Sequence, residues 1–232
     1  MNSKLNRDFY NLSINQNDDY ITLNSYFEPI DLNSMSKGNV LESFLFNSES
    51  FKYLKTWQNN NEQSINLPVK SFEPFLPTKT VKAGDSWELI PIQKNTEQLS
   101  NNRYEPPDLE TNEIVLYKII QMFHKNAFLY SRFPPTGTAL LLRAQNEEFY
   151  DILFRVHAEF QINELPSLPF WFTPACFQGR LIISKDARHI EYFNLYVPTE
   201  KKLNVDMEWL NEATSEGESM EVDIGFMVNF II

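Results

Sequence analysis

Between Asp151 and Ile162 apolar and polar residues alternate with a period of two, and this stretch constrains the fold more than any other. Ile152, Phe154, Val156, Ala158, Phe160 and Ile162 fall on one face. Asp151, Arg155, His157, Glu159 and Gln161 fall on the other. Successive side chains of a strand leave opposite sides of the pleat, so the pattern predicts a half-buried strand. Each large apolar side chain taken out of water contributes roughly 1.5–3 kcal/mol, so such a strand can anchor a core. A loop follows that is punctuated by Pro166, Pro169 and Pro174 and carries Phe170, Trp171 and Phe172. A strand pattern then resumes at Phe177.

The flanking segments read mainly as sheet. Ala139 to Leu142 is expected to be the antiparallel neighbour of the Asp151 strand. Phe177–Ser184 and Ile190–Val197 flank the polar turn Lys185-Asp186-Ala187-Arg188, which predicts a hairpin. Leu203–Leu210 and Met220–Met227 predict further strands, separated by an acidic loop from Glu212 to Ser219. Upstream, Glu113 to Phe123 fits a strand or a short helix, because an apolar run this short does not discriminate. Val40 to Trp57 leans to helix. Residues 78–112 are broken by Gly84, Pro91, Pro106 and Pro107, and read as loop around one strand-like piece, Trp87 to Ile92. Tyr26-Phe27-Glu28-Pro29-Ile30 is echoed by Ser71-Phe72-Glu73-Pro74-Phe75; both are expected to be extended, with their prolines at sheet edges. The expected class is α+β, β-rich, with a largely antiparallel sheet in the second half and a mixed, loop-rich N-terminal part.

Composition removes several function classes. A formal net charge of −11 argues against a nucleic-acid partner, which needs a basic surface. No run of 18 apolar residues exists, so no membrane span is expected. Met1 to Arg7 has no apolar stretch behind its charges, so no signal peptide is visible. The one cysteine, Cys176, excludes an internal disulfide, a Cys-x-x-Cys pair and a thiolate-rich zinc site, and is expected to be a buried, inert thiol.

Few residues point to chemistry. Asn15, Asn17 and Asp19 have the oxygen spacing of the first half of a calcium loop, but Tyr20 stands where the turn glycine belongs and Tyr26 where the bidentate glutamate belongs. Asn11-Leu12-Ser13 is an N-glycosylation sequon. Arg155, His157 and Glu159 share one face of the central strand, as an acid-base cluster or as a charge ladder. Asp206, Glu208, Glu212, Glu216, Glu218, Glu221 and Asp223 form an acidic run without lysine or arginine, which reads as a solvated loop or a weak cation site. His124, His157 and His189 lie at no metal-ligand spacing, and no nucleophile, Walker, dinucleotide or zinc motif is present.

Several longer strings together resemble the selenoprotein N family. They are Phe72–Pro77 (FEPFLP), Leu99–Tyr104 (LSNNRY), Met122–His124, Phe154–Phe160 (FRVHAEF), Pro169–Phe177 (PFWFTPACF), Ile183–Ala187 (ISKDA), Leu203–Leu210 (LNVDMEWL) and Met220–Gly225 (MEVDIG). The resemblance implies a middle domain over 71–227. An irregular part over 1–70 would precede it, with an EF-hand remnant, and an aberrant tail over 228–232 would follow. That tail departs abruptly from the family pattern, as if an unspliced intron were read through. The family is implied to be a membrane-anchored glycoprotein of the endoplasmic reticulum, with a calcium-binding EF-hand and a selenocysteine redox motif in a thioredoxin-like part. It is implicated in redox-linked calcium homeostasis, in regulation of the reticular calcium pump, and in muscle. The selenocysteine motif has no counterpart in these residues, and Cys176 is not in its position. The function expected is therefore a non-catalytic portion of such a protein, with protein partners and no cofactor of its own beyond calcium by resemblance. A calcium-binding module and an independent redox or acid-base enzyme using the His157 face are the alternatives.

Overall fold

The computed structural model describes residues 19–28, 56–91, 110–129, 137–162 and 177–198, together with the backbone of 171–172, 203–206 and 219–222. Its centre is an antiparallel five-stranded sheet of β3 (Ser86–Ile90), β5 (Thr138–Gln145), β6 (Phe149–Val156), β9 (Phe177–Ser184) and β10 (Ile190–Tyr196). They lie in the spatial order β10-β9-β6-β5-β3, which puts β6 in the middle. Around it are a pair formed by β1 (Tyr20–Asn24) and β2 (Ser64–Pro68), and a small sheet of β4 (Ala127–Phe128), β7 (Glu159–Gln161) and β8 (Trp171–Phe172). Strands β11 (Leu203–Asp206) and β12 (Ser219–Val222) pair with each other. A β-rich α+β fold is what the alternating second half demands.

Register explains the core. Phe154 of β6 stands opposite Gly179 of β9 and opposite Leu140 of β5, so these positions share the inner face. Glycine is required at 179: a Cβ there would lie 2.2 Å from Phe154 Cζ. The ring lies across the strand in the space a side chain would fill. Phe154 then meets Phe75 edge-on at 5.2 Å and Phe193 at 5.9 Å, while Phe72 meets Phe75 at 5.7 Å and Phe193 at 5.5 Å. These four rings close a circuit between the sheet and the segment that covers it.

That segment corrects one expectation. Ser71–Phe75 is not extended but belongs to a 3₁₀ turn over Val69–Phe75. With three residues per turn, positions i and i+3 eclipse, so Val69, Phe72 and Phe75 form one buried stripe. Its echo does not form a strand either over Tyr26–Glu28; Pro29 and Ile30 lie outside the described residues. The stretch 113–123 resolves as a helix, α1 (Ile114–Gln121), entered through a short 3₁₀ turn over Thr111–Glu113. Glu110 and Glu113 form a capping box there, with the Glu110 N–H donating to Glu113 Oε2 at 3.0 Å. Five of the eight helical residues are buried, which is why the apolar run showed no clear period.

A second aromatic group ties the N-terminal residues to this frame. Trp57 packs at 5.1 Å from Phe27, 5.1 Å from His124 and 5.2 Å from Phe160, and its Nε1–H donates to the Phe123 carbonyl at 3.1 Å. The asparagine run beside it is structural. Asn60 Nδ2 donates to Ser25 Oγ at 2.6 Å and Asn61 Nδ2 to the Gln121 carbonyl at 3.2 Å. The helix leaning over Val40–Trp57 lies, apart from its last two residues, outside the described residues.

Replacing Gly179 by alanine should displace the Phe154 ring and cost about 3 kcal/mol of stability in a denaturant titration. Phe154→Leu should cost a similar amount alone, while adding it to Gly179→Ala should cost little more, because both changes remove one packing arrangement.

Candidate functional site

Two polar groups of the central strand meet different surroundings, because the cover over β6 changes along its length. Its first part has one face toward the core and one toward solvent. Asp151, Leu153 and Arg155 point outward, in register with Ile182, Arg180 and Gln178 of β9. Asp151 nevertheless has only 9% of its surface exposed, because two arginines lie over it. Arg143 of β5 donates from Nε at 2.8 Å and from Nη2 at 2.6 Å to Asp151 Oδ2. Arg180 donates from Nε to Oδ1 at 3.0 Å and from Nη2 to Oδ2 at 3.0 Å, and its guanidinium sits 5.3 Å from the centre of the Tyr192 ring. Burial alone would raise the Asp151 carboxyl, but the hydrogen bonds and charges of Arg180 and Arg143 outweigh it and hold the group below the usual carboxylate range.

The second part of the strand is enclosed on both faces. Val156 ends β6, the chain leaves the five-stranded sheet, and Glu159 enters the small sheet as part of β7. Every residue from Val156 to Phe160 is buried as a result. His157 is 8% exposed and its Nδ1 has no hydrogen-bond partner. Burial, with the positive charge of Arg155 added, pushes its imidazole from 6.5 down to about 4, so it is neutral at pH 7. Glu159 is wholly buried.

Arg155, His157 and Glu159, which the sequence offered as an acid-base cluster or a charge ladder, are therefore dispersed. Arg155 is exposed on the outer sheet face, His157 sits at the crossing between sheets, and Glu159 is inside the second sheet. No hydrogen bond joins His157 to either. An enclosed imidazole held near 4 lacks both the access and the proton affinity that acid-base work at neutral pH requires. Arg143, Arg180 and Tyr192 were not singled out by sequence reasoning, although Arg143 and Arg180 are the basic residues on the strands flanking Asp151.

Of the calcium-loop candidates, Asn15 and Asn17 lie outside the described residues, as does the sequon asparagine Asn11. Asp19 is exposed, and its main-chain carbonyl accepts the Val69 N–H at 2.8 Å, extending the β1–β2 ladder. Among the described residues no group of three or more histidine, cysteine, aspartate or glutamate side chains is placed to hold a metal ion, and no helix is long and apolar enough to cross a membrane. Cys176 and the loop between β11 and β12 are outside the described residues.

Comparison with known proteins gives a consistent answer. Selenoprotein N of Danio rerio is 43% identical over 215 residues, which cover 91% of this chain and 38% of that protein. The Mus musculus protein of the same name is 40% identical over 210 residues, 89% of this chain and 37% of its own length. That of Homo sapiens is 40% identical over 210 residues, 89% of this chain and 35% of its own length. The chain is selenoprotein N-like. It spans little more than a third of the length of those relatives. No family model and no solved structure matches it.

In this selenoprotein N-like chain the strings FEPFLP and FRVHAEF fall on the 3₁₀ cover and on the crossing between sheets, both packing sites. His157, whose proton affinity burial lowers, is thus part of the framework. An unfolded imidazole takes up a proton below about pH 6.5, whereas the folded one resists until about pH 4. Stability should therefore fall as pH drops through that window, by on the order of 3 kcal/mol, and be unaffected above it. In a series of urea titrations His157→Asn should flatten this slope. The Asp151 carboxyl acts lower: its stabilisation is present above about 3.8 and is lost only as pH falls through its depressed folded value.

Proposed function

We propose that this chain is the non-catalytic, partner-binding scaffold of a selenoprotein N-like protein of the endoplasmic reticulum that acts in redox-linked calcium homeostasis. The observation that carries the proposal is the 40–43% identity to selenoproteins N over about nine-tenths of the chain. The framework agrees with a scaffold role. Its central polar groups are engaged in the packing of the sheet: Asp151 is clamped by two arginines, and His157 is enclosed and neutral. Protein partners follow from the same resemblance, a reticular calcium pump among them, and Asn11 is the position a glycan would take in that compartment.

Two assays on the isolated chain test the proposal. Thiol-disulfide and peroxide turnover should be indistinguishable from buffer, and His157→Ala should change neither; turnover lost on that substitution would establish an enzyme instead. Calorimetric titration with calcium should give no saturable heat. A saturable site, weakened by Asn15→Ala or Asp19→Ala, would replace the scaffold with a calcium-binding module.

A further inference from the structure

The outer face of the five-stranded sheet is built unlike an ordinary solvated surface. In one row across the strands lie Tyr196, Gln178, Arg155 and Ala139; in the next lie Asn194, Arg180, Leu153 and Leu141. Leu141, Leu153, Tyr192 and Tyr196 each keep more than a third of their surface exposed. The five strands contain three arginines and no lysine, although lysine outnumbers arginine in the whole chain. Tyrosine and arginine in place of lysine, beside exposed leucines, is the composition of a protein-binding surface.

The arginines are set in advance. Asp151 fixes Arg143 and Arg180 through Nε and Nη2, and Tyr192 supports Arg180 from one side. A guanidinium carries five N–H groups, so both retain donors for a second carboxylate, and their ordering cost is met before a ligand arrives. Arg155 stands exposed in the neighbouring row and makes no ion pair among the described residues. Against these three cations stand Asp151 at the centre, Glu88 toward the β3 edge, and at the β10 edge the exposed Glu191, which pairs with His189. Across the three central strands three arginines meet one carboxylate, a cationic excess on a chain of net charge −11 that makes the middle of the face complementary to acid. From the row of Asp151 to that of Arg155 is four residues along β6, roughly 13 Å, too far for one free anion to bridge.

We propose that this face docks an acidic polypeptide segment of a partner, its carboxylates received by Arg143, Arg155 and Arg180 and an aromatic or aliphatic side chain laid on Leu141 and Leu153. The proposal names the surface for the scaffold reading above and rests on it.

Selection of a random peptide library on the immobilised, folded chain tests it. Enriched peptides should be acidic and carry aromatic or aliphatic residues. A synthetic peptide of the leading sequence should bind about tenfold or more weakly to Arg155→Glu, and weaken with rising salt. Leu153→Ser should also weaken it, and thermal melts should show both variants folded. No enrichment, enrichment of basic or neutral peptides, or an acidic peptide indifferent to both substitutions would overturn the proposal. Such a failure leaves the scaffold reading intact. Turnover in the thiol-disulfide or peroxide assays would instead remove the scaffold reading whatever the peptides do.

Discussion

The contact of the Phe154 ring with the bare backbone of Gly179 is what the rest of the packing depends on. A Cβ at position 179 would overlap the ring, so the ring would have to leave the strand surface. In this place it meets Phe75 in a T-shaped contact and Phe193 in a tilted one. Phe72 closes the circuit from the other side, and the 3₁₀ segment is held on the sheet by two rings that its own geometry eclipses. Aromatic pairs of this kind contribute about 0.5–1.5 kcal/mol each beyond the area they bury, and here they share members. Loss of one ring therefore weakens its neighbours as well.

The same central strand explains how a sheet with one wet face comes to hold buried polar groups. Along β6 the inner positions are covered by the phenylalanine circuit and the outer ones face solvent, where arginines can reach Asp151 while keeping part of each side chain in water. After Val156 the chain crosses into a second sheet and both faces become interior. A polar residue buried on either part of the strand must find a hydrogen bond or stay uncharged. Asp151 takes the first course with two guanidiniums; His157 takes the second. Ionisation is thus sorted by position along one strand.

Much of this was legible in the sequence. Period-two alternation identified all six apolar positions from Ile152 to Ile162, and each is buried. The polar turn between two β-rich runs placed the β9–β10 hairpin, and Ala139–Leu142 was read correctly as part of the neighbour of β6. Two kinds of feature were not legible. The 3₁₀ turn at Val69–Phe75 has an apolar period of three, which over seven residues resembles an extended segment containing proline. The fate of the polar face was also hidden, since alternation tells which side a residue leaves the strand but not what covers that side. Asp151, His157 and Glu159 all sit on the nominally exposed face, and all three are buried. The Glu110–Glu113 capping box was the available signal for the helix over 114–121.

Two of the strings that carry the likeness to selenoprotein N, FEPFLP and FRVHAEF, are strings that pack. FEPFLP supplies Phe72 and Phe75 to the aromatic circuit, FRVHAEF runs from Phe154 through the crossing, and ISKDA ends β9 and begins its hairpin turn. Residues in such positions build a framework, because a ring that must lie on a glycine leaves little choice of residue. Chemistry is transmitted differently, through exposed donors and acceptors whose neighbours are free to vary. Among the described residues Arg143 and Arg180 of the outer sheet face are exposed donors of that second kind, held in place by Asp151 with N–H groups left over.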